Sequence, residues 1–200
     1  MTATRGLSPP TRTALLFGGA FLLGVGVALT LLADLGSDGY SMLVHGFSIF
    51  SGLPFWLANI IMAAVFLALA ALRRVIPGIG TIVQIGVVGV TVNILLATVT
   101  GPGGLWARVG LTLVALFVLA LGIALYLGAN LGAGPMEAAG LAWDPPLPFR
   151  WSYSVAQLTT AAVGWLMGAT FGLTTIIVIF CLGPLVDLIS RRLGLDVRQS

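Results

Sequence analysis

The chain has 200 residues, of which 58% are hydrophobic and 8% charged. A soluble domain carries about 25% charged residues, so this composition excludes a water-soluble globule and places the chain among membrane proteins. Its nine basic residues are all arginine and its six acids leave a net charge of +3, too sparse for a nucleic-acid-binding surface.

A bilayer core of about 30 Å requires roughly 20 apolar residues per helix, and cutting the chain at its charges predicts six spans. Residues 1–12 read as a cytoplasmic N-terminal tail carrying Arg5 and Arg12, and the first span covers 13–33, ending at Asp34. It is longer than the roughly 7–15 residues of a signal-peptide core and has no small-x-small cleavage site before Asp34, so it reads as a retained helix. The connector Leu35-Gly36-Ser37-Asp38-Gly39-Tyr40 leads into a moderately apolar segment, 41–50, too short to span. The second span, 54–72, ends at Arg73 and Arg74; the third covers 79–99 and is closed by Thr100-Gly101-Pro102-Gly103-Gly104. After the fourth, 109–129, the connector Leu131-Gly132-Ala133-Gly134-Pro135-Met136-Glu137 opens a second short segment, 138–143. The fifth span, 151–170, turns through Phe171-Gly172 into the sixth, 173–189, and residues 190–200 form a cytoplasmic C-terminal tail. The expected architecture is a single all-α membrane domain over 13–189.

Arginines of short loops stay on the cytoplasmic side. With the N-terminus inside, the inner segments hold Arg5, Arg12, Arg73, Arg74, Arg150, Arg191, Arg192 and Arg198, and the outer ones only Arg108. Inserting or deleting one span would scramble that division, so six spans with both termini cytoplasmic follow.

An internal repeat organises the spans. The stretch Gly26-Val-Ala-Leu-Thr-Leu-Leu-Ala-Asp-Leu-Gly36 matches Gly122-Ile-Ala-Leu-Tyr-Leu-Gly-Ala-Asn-Leu-Gly132 at an offset of 96, and Thr81-Ile82-Val83 matches Thr175-Ile176-Ile177 at 94. Repeat one covers about 13–99 and repeat two about 109–189. Three spans per copy force the second copy to enter from the opposite side, giving a 3+3 inverted repeat of the kind common in secondary transporters. In each connector, Gly36 and Gly39, or Gly132, Gly134 and Pro135, mark a sharp turn into a short helix. That helix is expected either to lie at the interface or to re-enter the bundle, where its free amides would face an anion or polar substrate.

The small residues running into Ala129-Asn130-Leu131-Gly132-Ala133-Gly134-Pro135, with Gly172-Leu-Thr-Thr175-Ile176 and Gly183-Pro184-x-x-Asp187, resemble the YczE/YitT group of bacterial integral membrane proteins. The resemblance covers about residues 13–189, and Leu131 to Pro135 is its most specific part. It implies a multi-pass protein of the bacterial plasma membrane and supplies no substrate. The first half departs from the pattern, with Ser37-Asp38-Gly39 where the second has Ala133-Gly134-Pro135.

Ionisable residues at membrane depth cost about 2.5–3.5 kcal/mol on insertion scales, which makes each a functional candidate. The repeat puts Asp34 and Asn93 toward the outer face and Asn130 and Asp187 at mirrored inner depths. These four either form two polar stations along a substrate or ion path or make interhelical hydrogen bonds. Gly183 and Pro184, one turn before Asp187, are expected to break the last helix and free carbonyls. Glu137 is expected to cap the second short helix or to gate the path. His45 reads as an interfacial side chain or a proton sensor, and Asn59 and Gln84 as bonds to neighbouring helices. Trp56, Trp106, Trp143 and Trp151 read as interface anchors, and the lone Cys181 as a packed or lipid-facing residue.

The sequence holds no nucleophile elbow, zinc-protease helix, Cys-x-x-Cys or phosphate loop, so neither an enzyme nor a metal or other cofactor is expected. Two roles remain: a permease or channel for a small solute, or a non-transporting scaffold or substrate-capture subunit. The expected partners are the lipid bilayer, an unknown small solute and either a second copy or another membrane protein.

Overall fold

Runs of apolar residues punctuated by glycine and proline fold as helices because a backbone inside lipid must satisfy its own polar groups. A computed structural model describes residues 7–74, 77–143 and 149–195; the other residues lie outside the description, among them Arg5, Arg198 and parts of both expected tails, as do the side chains of Arg150 and Trp151. The described residues form eight helices and no strand: α1 (Pro9–Ala33), α2 (Gly39–Ser51), α3 (Phe55–Ala71), α4 (Ile79–Thr98), α5 (Leu105–Gly128), α6 (Pro135–Ala142), α7 (Phe149–Leu166) and α8 (Leu173–Leu193).

Local chemistry sets the boundaries. Prolines open α1, where a missing N–H costs nothing. The Asp38 carboxylate accepts the Ser41 N–H at 3.0 Å and starts α2. Gly52 and Gly194 end α2 and α8 in the left-handed conformation. Both connectors do turn into short helices, and α6 begins at Pro135, three residues before the expected start.

Five helices, α1, α3, α4, α5 and α8, are long and apolar enough to cross a membrane, which makes this a multi-pass membrane protein. The expected fifth span is α7, which does not join them because Arg150 and Gln157, with its serines, threonines and Tyr153, dilute its apolar character. One expectation is corrected at α8, which runs unbroken through Gly183 and Pro184. Proline removes the bond to the carbonyl four residues earlier and crowds that carbonyl, but in an apolar setting the other backbone groups have no better partner than the helix.

Large apolar side chains face outward, among them Ile82 at 65% and Phe180 at 68% exposure, as lipid contact allows and water does not. Inside, α1 packs against α4 and α5, and α5 against α8; α2 lies on α3 and α7, and α6 on α3 and α7. The main core joins Leu23 and Val27 of α1, Val88 of α4, Leu119 of α5 and Val178 of α8. Small residues let these helices approach. A side chain at Gly122 would meet the Leu23 amide nitrogen at 2.5 Å, and one at Gly26 the Leu119 side chain at 2.7 Å, so α1 and α5 touch backbone to backbone.

Candidate functional site

Two turns of matching construction aim the short helices inward. Asp34 and Asn130 follow α1 and α5 with φ of 53° and 51°, the left-handed region that Asn and Asp tolerate better than other side chains. Gly36 and Gly132 come next, at φ 100° and 140°, where only glycine is comfortable. Each turn docks on the start of another helix. The Thr174 N–H donates to the Leu35 carbonyl at 3.1 Å, and the Gly80 N–H to the Leu131 carbonyl at 2.9 Å. Thr81 adds a hydroxyl bond to the Ala133 carbonyl at 2.6 Å. The first amides of α8 and α4, which a helix cannot satisfy internally, are thereby paired.

The starts of α2 and α6 then face a common cavity of about 50 Å³ in the middle of the bundle. Its polar wall includes Asp38, Ser41, Gln84, Glu137, Tyr153 and Gln157, and its apolar wall includes Leu23, Val27, Phe55 and Leu119. That volume holds a few water molecules or an occupant of a few heavy atoms.

Most of the polar wall is tied down. Gln157 accepts the Gly39 N–H at 2.6 Å and donates to the Tyr153 hydroxyl at 3.0 Å. Tyr40 donates to the Asn59 side-chain oxygen at 3.2 Å, and Asn59 donates to the Ile85 carbonyl at 2.9 Å, bonding α3 to α4 as expected. Ser37 and Thr30 share a hydroxyl bond at 2.6 Å behind Asp38. The exception is the corner at Gly134. A side chain there would collide with Glu137 Oε2 and would come within 3.2 Å of the Tyr126 hydroxyl and 3.3 Å of Gln84 Nε2. Glycine at 134 is what lets these three polar groups converge. The Tyr126 hydroxyl lies beside the Gly134 backbone and the Glu137 carboxyl without a well-aligned hydrogen bond to either. Gln84 is 8% exposed, and its buried Oε1 has no hydrogen-bond partner.

The residues singled out from the sequence fall in different places. Glu137, in the first turn of α6, lines the cavity. Asp34 pairs with Arg108 at 3.3 Å and accepts the Thr170 hydroxyl, while Asn93 sits half-buried on α4. Asp187 pairs with Arg191 at 2.8 Å on an exposed face, and Asn130 is exposed at its turn. None of these four lines the cavity. His45 faces a smaller pocket with Asp34 and Thr170. Trp106 and Trp143 are exposed, and the Arg73 guanidinium stacks 4.4 Å from the Trp143 ring. Among the described residues no group of three or more potential metal ligands comes together.

Sequence reasoning passed over Asp38, Ser41, Tyr153 and Gln157. A signal for two of them was present. At the repeat offset of 96, Ser41 stands opposite Glu137 and Asp38 opposite Gly134, so the apparent departure in the first connector marks the same place at the start of a short helix.

Residues 10–191 match the model of a family described as a family of unknown function, DUF6198. The chain is also 29% identical over 169 residues to an uncharacterised protein of Haemophilus influenzae, covering 83% of this chain and 77% of that one. No solved structure matches.

Proposed function

We propose that this chain, which belongs to the DUF6198 family of unknown function, is a permease or channel for a small solute, built from two inverted halves that enclose its binding site. The proposal rests on one observation: a cavity among the helices, largely apolar but with a cluster of polar side chains, lined from the starts of both short helices. Irregular backbone at membrane depth is tolerated where it lines such a cavity, and secondary transporters bind substrate between half-helices of this kind.

The inverted halves find support in spacing and packing. Helices α5, α6, α7 and α8 begin 96, 96, 94 and 94 residues after α1, α2, α3 and α4, the offsets of the two sequence matches. Exchanging the halves turns each contact into another: α1 on α4 becomes α5 on α8, and α2 on α7 becomes α6 on α3. Arg12 and Arg108, also 96 apart, each hold the far end of the other half's first helix. Arg12 donates to the Ala129 carbonyl at 2.8 Å, and Arg108 reaches Asp34. In this arrangement α7 is the sixth crossing, its 18 residues spanning about 27 Å, and α2 and α6 are re-entrant. The YczE/YitT resemblance adds a bacterial plasma membrane, and the arginine distribution puts both termini on its cytoplasmic side. No enzymatic reaction is assigned, since His45 faces a pocket apart from Ser41.

Transport by such a bundle requires the halves to rock about the α1–α5 contact so that the cavity opens to one face at a time. The test is solute flux into liposomes containing the purified protein. Saturable uptake of a small solute, reduced at least tenfold by Glu137→Ala in protein that still folds, is the expected outcome. No flux across a broad panel, with a second membrane protein co-purifying, would replace the permease by the scaffold.

A further inference from the structure

We infer that the cavity recognises a small primary alkylammonium cation, held by Glu137, Asp38 and the side-chain oxygen of Gln84. This deepens the permease proposal by naming a substrate class, and it stands on three features of the wall.

The first is charge. The starts of α2 and α6 each contribute about +0.5 of an elementary charge, an arrangement that alone would favour an anion. Both positions are already taken by the chain's own carboxylates. Asp38 caps α2, and Glu137 occupies the first turn of α6. With both carboxyls ionised, two negative charges against two half-charges would leave the site with about one unit of negative charge, a state that a cationic occupant would favour. Among the described residues no arginine or histidine lines the cavity and Glu137 forms no ion pair.

The second is hydrogen-bond polarity. Three donors of the wall are consumed internally, the Gln157 amide by Tyr153, the Gly39 N–H by Gln157 and the Ser41 backbone N–H by Asp38. Gln84 points its Nε2 toward the Gly134 corner, next to Glu137 Oε2, and leaves Oε1 buried and unpartnered. An unsatisfied buried acceptor costs about 1–3 kcal/mol, and an occupant carrying N–H donors removes that cost. The acceptors on offer therefore ask for a donor with positive charge.

The third is asymmetry. Beside the polar groups the lining is apolar, with Leu23, Val27, Phe55, Val88 and Leu119. A bare metal cation needs oxygens on all sides, whereas an ammonium head with a short alkyl tail satisfies both walls. A volume of about 50 Å³ limits the tail to a few carbon atoms.

Calorimetric titration of the detergent-purified chain with ethylammonium chloride tests this, with sodium chloride, sodium acetate and ethanol as comparison probes. Saturable ethylammonium binding is expected, with none of the three other probes binding at the same concentration. Glu137→Gln and, independently, Gln84→Leu should each raise the Kd at least tenfold in protein whose helical circular dichroism and elution are unchanged. If Glu137→Gln fails to fold, Gln84→Leu decides the matter alone. Absence of binding, equal binding of acetate or ethanol, or an unchanged Kd in a folded Gln84→Leu variant would overturn the inference. Ethylammonium binding without flux in liposomes upholds the inference and refutes the permease. Flux of another solute without ethylammonium binding does the reverse.

Discussion

At the scale of single residues, the backbone accounts for two polar side chains that the sequence alone makes look functional. Asp34 and Asn130 occupy equivalent places in the repeat, near the ends of long apolar runs, and both have positive φ. An L-residue in that conformation costs roughly 1–2 kcal/mol, less for Asn and Asp and nothing for Gly. Asn130 is exposed, and Arg12 bonds its carbonyl rather than its side chain. Asn130→Gly should therefore keep or raise the thermal stability of the purified protein, while Asn130→Ala lowers it by about 1 kcal/mol. A residue kept for its amide group would lose equally in both variants, so the order of the two melting temperatures separates the roles. Glu137 differs in kind: its carboxyl meets its own backbone N–H in the first turn of α6 and also faces the cavity.

At the scale of elements, stability in lipid comes from close packing more than from burial of apolar surface, because lipid is as apolar as the core. The α1–α5 crossing shows what this demands. Gly122→Val would press its Cβ against the Leu23 amide nitrogen and the Gly19 carbonyl, at 2.5 and 3.0 Å, and overpacking of that kind costs about 1–3 kcal/mol or more. Gly18 lies on the same helix as Gly19 and meets nothing within 4 Å, so Gly18→Ala should be neutral or stabilising by up to about 1 kcal/mol. Denaturant-induced unfolding in detergent micelles of the two variants checks both signs. The same physics decides what was legible in the sequence. The long helices could be read because a bilayer imposes length and hydropathy on them, and both short helices were announced by the glycines and Pro135 of their connectors. Gln84 and Gln157 could not be placed, because a lone amide in an apolar run looks the same whether it bonds a neighbour, as Asn59 does, or faces a cavity. Pro184 misled for a related reason, since composition shows a missing donor but not the surroundings that hold the helix together.

At the scale of the whole molecule, contacts between helix ends bear on how many times the chain crosses. Arg12 at the start of α1 holds the Ala129 carbonyl at the end of α5, Leu195 packs within 3.0 to 3.2 Å of the position a Gly128 side chain would take, and Gly80 at the start of α4 bonds Leu131. These gather at one end, joined by Arg73 and Arg74, which α4 follows within a few residues. The opposite end gathers Arg108 with Asp34, and Thr174 at the start of α8 with Leu35. Between Leu131 and Gly172 the chain must pass from the first end to the second, and α7 is the longest helix in that interval. Five crossings would leave the two termini on opposite faces; counting α7, as proposed, would put them on the same one, which the arginine asymmetry predicts to be cytoplasmic. Single cysteines distinguish the two cases. In a Cys181→Ala background, Ser8→Cys and Ser200→Cys should both resist a membrane-impermeant thiol reagent in intact cells and react after permeabilisation. Gly103→Cys, in the loop beside Arg108 with nothing within 4 Å of its would-be side chain, should react in intact cells. Labelling of Ser200→Cys but not Ser8→Cys from outside would remove α7 as a crossing, and with it the proposed inverted symmetry of the two halves.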